Sequence, residues 1–212
     1  MRNYLTEFIG TFFLVLTIGL TVTAGSPFAP LAIGASLMIM VYAGGHISGG
    51  HYNPAVSLAA MLRKALPASQ YVPYVVSQLA GAVVAALAVL TITGKTFAPA
   101  PGVGASSISA ILVEVLYTFA LAYVVLNSAV AKKTQGNSFY GLAIGFTVVV
   151  AAFAGGSISG GAFNPAVGFG PTLINATMGA GDWSSLWLYI VGPLAGGALA
   201  ALVFGVQEGA AA

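Results

Sequence analysis

Gly44-Gly45-His46-Ile47-Ser48-Gly49-Gly50-His51-Tyr52-Asn53-Pro54-Ala55-Val56 returns as Gly155-Gly156-Ser157-Ile158-Ser159-Gly160-Gly161-Ala162-Phe163-Asn164-Pro165-Ala166-Val167, 111 residues later and without a gap. With Leu31-Ala32-Ile33-Gly34 and Leu142-Ala143-Ile144-Gly145 added upstream, 15 of 26 positions are identical. The likeness continues outward. Glu7-Phe8-Ile9-Gly10-Thr11 is answered by Glu114-Val115-Leu116-Tyr117-Thr118, and Tyr74 with Gln78-Leu79-Ala80-Gly81 by Tyr189 with Pro193-Leu194-Ala195-Gly196. The chain is a tandem of two halves, 1–94 and 106–208, which its short linkers place in one domain over residues 1–212.

Composition sets the solvent. Of 212 residues, 58% are hydrophobic and 5% charged, and the mean hydropathy is +0.98. Soluble domains carry about 25% charged residues, so the chain belongs in a bilayer. Six Lys and Arg against four Asp and Glu are too few for a nucleic-acid footprint. The absence of cysteine excludes disulfides and thiolate metal sites. The apolar run near the N-terminus has no small-residue cleavage motif and reads as a retained first span.

About 20 mostly apolar residues are needed to cross a hydrocarbon core of about 30 Å. Tyr4–Thr23, Leu31–Gly45, Tyr71–Thr93, Ser107–Val130, Phe139–Ala154 and Leu186–Val206 are the six stretches that qualify. Each half therefore holds three crossings, an odd number, so the second half sits inverted relative to the first. Inverted repeats place their functional site near the midplane, where the halves meet. With the N-terminus inside, Arg2, Arg63, Lys64, Lys132 and Lys133 are cytoplasmic and Lys95 alone is outside, as the positive-inside rule prefers. Both termini are then cytoplasmic, and the short tails favour a plasma membrane. Gly141 with Gly145, and Gly192 with Gly196, are small-xxx-small pairs suited to close helix packing in lipid. Tyr4, Trp183 and Trp187, near span ends, read as interfacial belt residues.

Asn is a favoured helix N-cap and Pro a favoured first helical residue. Asn53-Pro54-Ala55 and Asn164-Pro165-Ala166 each read as a helix start inside apolar sequence. The first helix extends at most to Leu66, before Pro67, which is about 20 Å and too short to span. The second is less regular, with Gly168, Gly170 and Pro171 inside it. Two half-helices entering from opposite faces meet N-terminus to N-terminus, with both positive dipole ends at the midplane. Lipid cannot satisfy the backbone of the Gly-rich arms before them, so the arms line water or are buried in protein. Gly49, Gly50 and His51, and Gly160, Gly161 and Ala162, are candidates for a ladder of carbonyls.

These features resemble the aquaporin, or major intrinsic protein, family over essentially the whole chain: both Asn-Pro-Ala boxes, the Glu-xxx-Thr signatures, and Ser48-Gly49-Gly50-His51-Tyr52-Asn53-Pro54-Ala55-Val56. The resemblance implies an all-α bundle of six transmembrane helices with two re-entrant half-helices. It also implies a homotetramer with one pore per subunit, passing water or small neutral solutes without a cofactor and excluding protons. Half-helix dipoles supply that proton barrier, and the family is itself the standard example of the device. Carried over by distance from each Asn, the narrowest ring falls on Ile33, Ala152, Gly161 and Val167. Most members have Arg where this chain has Val167, and water-selective members tend to have an aromatic residue or His at the first two positions. Loss of the guanidinium removes a donor and a cation barrier. The form Asn164-Pro165-Ala166-Val167-Gly168-Phe169-Gly170-Pro171 is similar to the tonoplast intrinsic proteins, which implies broader permeability: water, urea, ammonia, hydrogen peroxide or glycerol.

Glu7 and Glu114 lie within apolar spans, where carboxylates invite a functional reading. A secondary active transporter would use them for ion coupling, whereas the resemblance makes them braces for the half-helix arms. His46 and His51 are five residues apart, which is not helical ligand spacing, and no carboxylate stands near them in sequence; metal binding is disfavoured. The alternatives are structural anchoring and a gate that changes permeability between about pH 5 and 8. No nucleophile–base pair, phosphate loop or metal cluster suggests an enzyme.

Overall fold

The computed structural model describes residues 1–208; residues 209–212, which include the C-terminus expected on the cytoplasmic face, lie outside the described residues. Among the described residues six helices are long and apolar enough to cross a membrane. They are α1 (Arg2–Thr23), α2 (Ala29–Ser48), α4 (Ala68–Thr93), α5 (Ser107–Val125), α6 (Tyr140–Ser159) and α8 (Leu186–Glu208), with a π-helical turn carrying α5 on to Val130. Two shorter helices, α3 (Pro54–Leu62) and α7 (Pro165–Met178), follow the two Asn residues. Among the described residues there is no strand.

Several boundaries depart from those expected, each for a local reason. Helices α2 and α6 run past Gly45 and Ala154 to Ser48 and Ser159, because glycine tolerates a helix wherever the apolar surroundings leave no other partner for its backbone. Left-handed glycines then stop them: Gly49 at φ 90° donates to the Gly45 carbonyl, and Gly160 at φ 92° to that of Gly156. The extended arms are therefore only Gly49–Tyr52 and Gly160–Phe163. Helix α3 ends at Leu62 rather than Leu66. Lys64 turns the chain at φ 60°, and the Ala65 and Leu66 N–H groups both fold back to the Ala60 carbonyl. Helix α7 stays continuous through its glycines because they face solid neighbours: a Cβ on Gly168 would meet the Tyr189 Cβ at 2.5 Å, and one on Gly170 the Ala82 backbone at 2.6 Å.

Helix pairs touch where side chains are missing. Gly81 of α4 lies on the α1 backbone at Phe8, and Gly196 of α8 on the α5 backbone at Val115. Gly34 of α2 and Gly145 of α6 oppose each other's carbonyls, while the Tyr42 ring covers Gly141. Gly192 faces the Glu114 Cβ. The short helices end at opposite ends of the bundle. Arg63, after α3, reaches Phe204 and Gly205 at the end of α8, whereas Asn175 of α7 accepts from Thr96 in the connection after α4.

Candidate functional site

Each arm is held by one carboxylate. Glu7 is fully buried and accepts from Ser48 Oγ at 2.6 Å and the His51 N–H at 3.0 Å through Oε1, and from the Tyr52 N–H at 2.6 Å and Gln78 Nε2 at 2.8 Å through Oε2. Glu114, equally buried, accepts from Ser159 Oγ at 2.8 Å and the N–H groups of Ala162 and Phe163 at 3.0 and 2.6 Å. These bonds maintain an unusual backbone. Tyr52 and Phe163 both sit at φ 50°, a left-handed conformation that costs a non-glycine residue about 1–2 kcal/mol. Charge-assisted bonds to the arms' own N–H groups offset that cost. Tyr74 and Tyr189 add matching struts, donating to the carbonyls of Ser48 and Ser159.

His51, Ala162 and Phe163, whose N–H groups are turned to the carboxylates, lie with Gly50, Gly160 and Gly161 on the wall of a cavity of about 300 Å³. The same wall carries Asn53 and Asn164. Each Asn caps its own half-helix, its Oδ1 accepting from the N–H of Ala55 or Ala166 at 2.9 Å. Each also reaches across the repeat: Asn53 Nδ2 donates to the Phe163 carbonyl at 2.9 Å, and Asn164 Nδ2 to the Tyr52 carbonyl at 2.8 Å. The two halves are thus clamped reciprocally at the residues before the two boxes. An amide nitrogen has two hydrogens, so one on each Asn remains to face the cavity. Pro54, Ala55, Pro165 and Ala166 are buried and shape the two helix starts.

Ile33, Ala152, Gly161 and Val167 all contribute to this wall, although they come from α2, α6, the second arm and α7. Apart from His51 and the two Asn, every side chain on it is apolar. At the end of the bundle near Asn3 a second cavity, of about 470 Å³, is bordered by Ser48, Gly49, Leu66, Tyr74 and Val130. His51 belongs to both cavities and stands at their junction. His46 lies elsewhere, exposed on α2 and on neither wall, so the two histidines are not brought together. Among the described residues no group of His, Asp and Glu is arranged to hold a metal.

Sequence reasoning passed over Ser57 and Gln78. Both are fully buried, and Gln78 Nε2 donates to Ser57 Oγ at 2.9 Å as well as to Glu7. The signal was available, since each is a polar residue within apolar sequence whose counterpart in the other half is Gly168 or Pro193.

The paired re-entrant helices, crossed Asn bonds and continuous wall describe a pore, and similarity to known proteins agrees. Residues 1–204 match the major intrinsic protein family. The glycerol uptake facilitator protein-like 6 of Lactiplantibacillus plantarum is 38% identical over 95% of this chain and 95% of its own. Aquaporin TIP1-2 of Zea mays is 40% identical over 89% of this chain and 73% of its own. The X-ray structure of the aquaglyceroporin from Plasmodium falciparum shares the fold, with a TM-score of 0.84 and 21% identity over 96% of this chain and 94% of that one. The chain is a multi-pass membrane protein of the major intrinsic protein family, a family of passive channels rather than enzymes.

Proposed function

We propose that the chain forms a wide, proton-excluding pore for water and small neutral solutes, with glycerol, urea, ammonia and hydrogen peroxide as the candidates. The carrying observation is the ring Ile33, Ala152, Gly161 and Val167 on one cavity wall: it has no charge, no aromatic group and little bulk. A relative named for glycerol uptake supports the same reading. Proton exclusion follows from two helix starts facing one another across the crossed Asn bonds, which makes the midplane unfavourable for a cation.

Stopped-flow measurements on proteoliposomes test the proposal: water flux accompanied by glycerol, urea or ammonia flux is expected, and water flux alone would refute the broad selectivity. Val167→Arg puts a guanidinium into the ring. It should reduce solute flux at least about tenfold, equivalent to about 1.4 kcal/mol, while sparing water; unchanged selectivity would remove Val167 from the filter.

Glu7 and Glu114 act in this reading as braces, each occupied by the arm it holds, and not as coupling sites. Flux driven by an osmotic step, indifferent to proton or sodium gradients, distinguishes a pore from a secondary transporter. His51, bonded to Glu7 and Ser57, acts in this reading as a structural anchor of the arm and not as a gate, so permeability should stay level between about pH 5 and 8; a titrating change there would favour the gate. The orientation follows the positive charges: Arg2, Arg63, Lys64, Lys132 and Lys133 cytoplasmic, Lys95 outside. A plasma-membrane homotetramer with one pore in each subunit completes the proposal, and cross-linking in native membranes tests it.

A further inference from the structure

The two halves differ in one coordinated way. In the first, Gln78, Ser57 and His51 form a chain leading away from Glu7; at the equivalent places in the second stand Pro193, Gly168 and Ala162. The carboxylate is kept in both halves, but the polar groups beyond it exist in only one. The three positions, on α4, α3 and the first arm, are separated in sequence yet make continuous contact. Packing alone does not require this, because the second half packs without them.

The direction of each hydrogen bond can be worked out. A carboxylate that already accepts from Ser48 Oγ and from the N–H groups of His51 and Tyr52 is an acceptor. The Gln78 atom 2.8 Å from it is therefore the NH₂ group. The second hydrogen of that group goes to Ser57 Oγ at 2.9 Å. Ser57 Oγ consequently accepts from Gln78 and has one hydrogen of its own to place. Its other polar partner is His51 Nδ1 at 3.1 Å. If Nδ1 carried the proton, the fully buried hydroxyl would be left with a hydrogen and no acceptor, an arrangement that buried groups avoid. The remaining assignment has Ser57 donating to Nδ1, with the imidazole proton on Nε2. That nitrogen makes no hydrogen bond to any described residue and is not among the enclosed, unpartnered polar atoms; it opens towards the cavities that meet at His51.

We propose that Gln78 and Ser57 are positioning residues that fix His51 in its neutral Nε2–H tautomer, so that the pore has one permanent N–H donor at the junction of its two cavities. The groups facing the imidazole agree with this state: Glu7 from α1 is occupied by the arm, the Tyr74 ring from α4 lies 5.4 Å away, and among the described residues no cation is paired with it. The consequence for conduction rests on the solute reading above. The other side chains on the wall of the first cavity, apart from the two Asn, are apolar, so a passing molecule turns a lone pair to Nε2–H while its hydrogens are left to the backbone carbonyls of the arms. Water, a hydroxyl, a urea oxygen and the ammonia nitrogen can all do so; a solute without a lone pair cannot.

Nitrogen-15 NMR of the full-length protein in lipid bilayers tests the assignment directly. The chain has two histidines, and His46→Gln leaves only the His51 signals. At neutral pH the expected spectrum shows one species, with Nδ1 unprotonated and Nε2 protonated. Ser57→Ala, a small residue at the place where the other half has glycine, should lose that single state and show protonated Nδ1. Gln78→Met should do the same by freeing the Ser57 hydroxyl. A wild-type spectrum with protonated Nδ1 overturns the proposal even if a variant fails to insert. Persistence of the single Nε2–H state in Ser57→Ala overturns the role of Ser57, and in Gln78→Met that of Gln78. Because the spectrum reads a proton position and not a flux, its failure is separate from any failure of the proposed solute range.

Discussion

Glu7→Ala is expected to lower stability more than Glu114→Ala, and both more than any single substitution on the lipid-facing surface. Removing Glu7 strands four buried donors: Ser48 Oγ, the N–H groups of His51 and Tyr52, and Gln78 Nε2. Removing Glu114 strands three. An unsatisfied buried donor costs about 1–3 kcal/mol. Water drawn into the space left by the carboxyl recovers part of this, so net losses of about 3–6 kcal/mol for Glu7 and somewhat less for Glu114 are expected. The loss should also reach conduction, since the left-handed Tyr52 and Phe163 lose the partners that hold them. Thermal unfolding in detergent with osmotic flux in liposomes checks both parts. Equal melting temperatures for Glu7→Ala and wild type would mean that the arm holds itself.

The second large effect lies at the helix crossings. Gly81→Val and Gly196→Val should each disrupt a helix crossing. A Cβ on Gly81 would stand 2.5 Å from the Phe8 carbonyl oxygen and 3.2 Å from the Phe12 nitrogen. On Gly196 it would collide with the Val115 carbonyl and approach the Phe119 nitrogen at 2.8 Å. These neighbours are backbone within helices, so relief requires the whole α1–α4 or α5–α8 pair to separate. Overpacking typically costs about 1–3 kcal/mol, and rigid neighbours put these sites at or above the upper end. Gly45→Ala provides the contrast, because its nearest neighbour is the edge of the Tyr140 ring at 3.3 Å, which can move. Unfolding of the three variants in one detergent tests the ranking; a Gly81→Val protein as stable as Gly45→Ala would refute the rigid-crossing argument.

These effects explain what could be read from the chain alone. Six spans were legible because lipid demands long apolar runs. The half-helices were legible because Asn and Pro signal a helix start whatever surrounds them. Their lengths were not, since the stop at Lys64 depends on a turn conformation with no strong residue signal, and the continuity of α7 through Gly168 and Gly170 depends on Tyr189 and Ala82 filling the space. The ends of α2 and α6 were misplaced for a related reason: Gly44, Gly45, Gly155 and Gly156 look like breakers, yet they continue the helix until Gly49 and Gly160 turn left-handed. Val167 stood out only through resemblance, because the family pattern implies arginine at its position. Ser57 and Gln78 did not, because their importance lies in pointing at one another.

By itself the sequence determined the membrane, the number of crossings, the inversion of the halves and the residues at the centre, because each depends on composition or on a pattern repeated along the chain. Only the tertiary structure decided that Asn53 and Asn164 exchange bonds with the opposite arm, that Ile33, Ala152, Gly161 and Val167 from four segments share one wall, and that His51 meets Ser57 and through it Gln78. The crossed Asn bonds alone relate residues up to 112 positions apart. Periodicity cannot carry them, since a hydrogen bond depends on the direction of two groups in space and the chain order fixes neither.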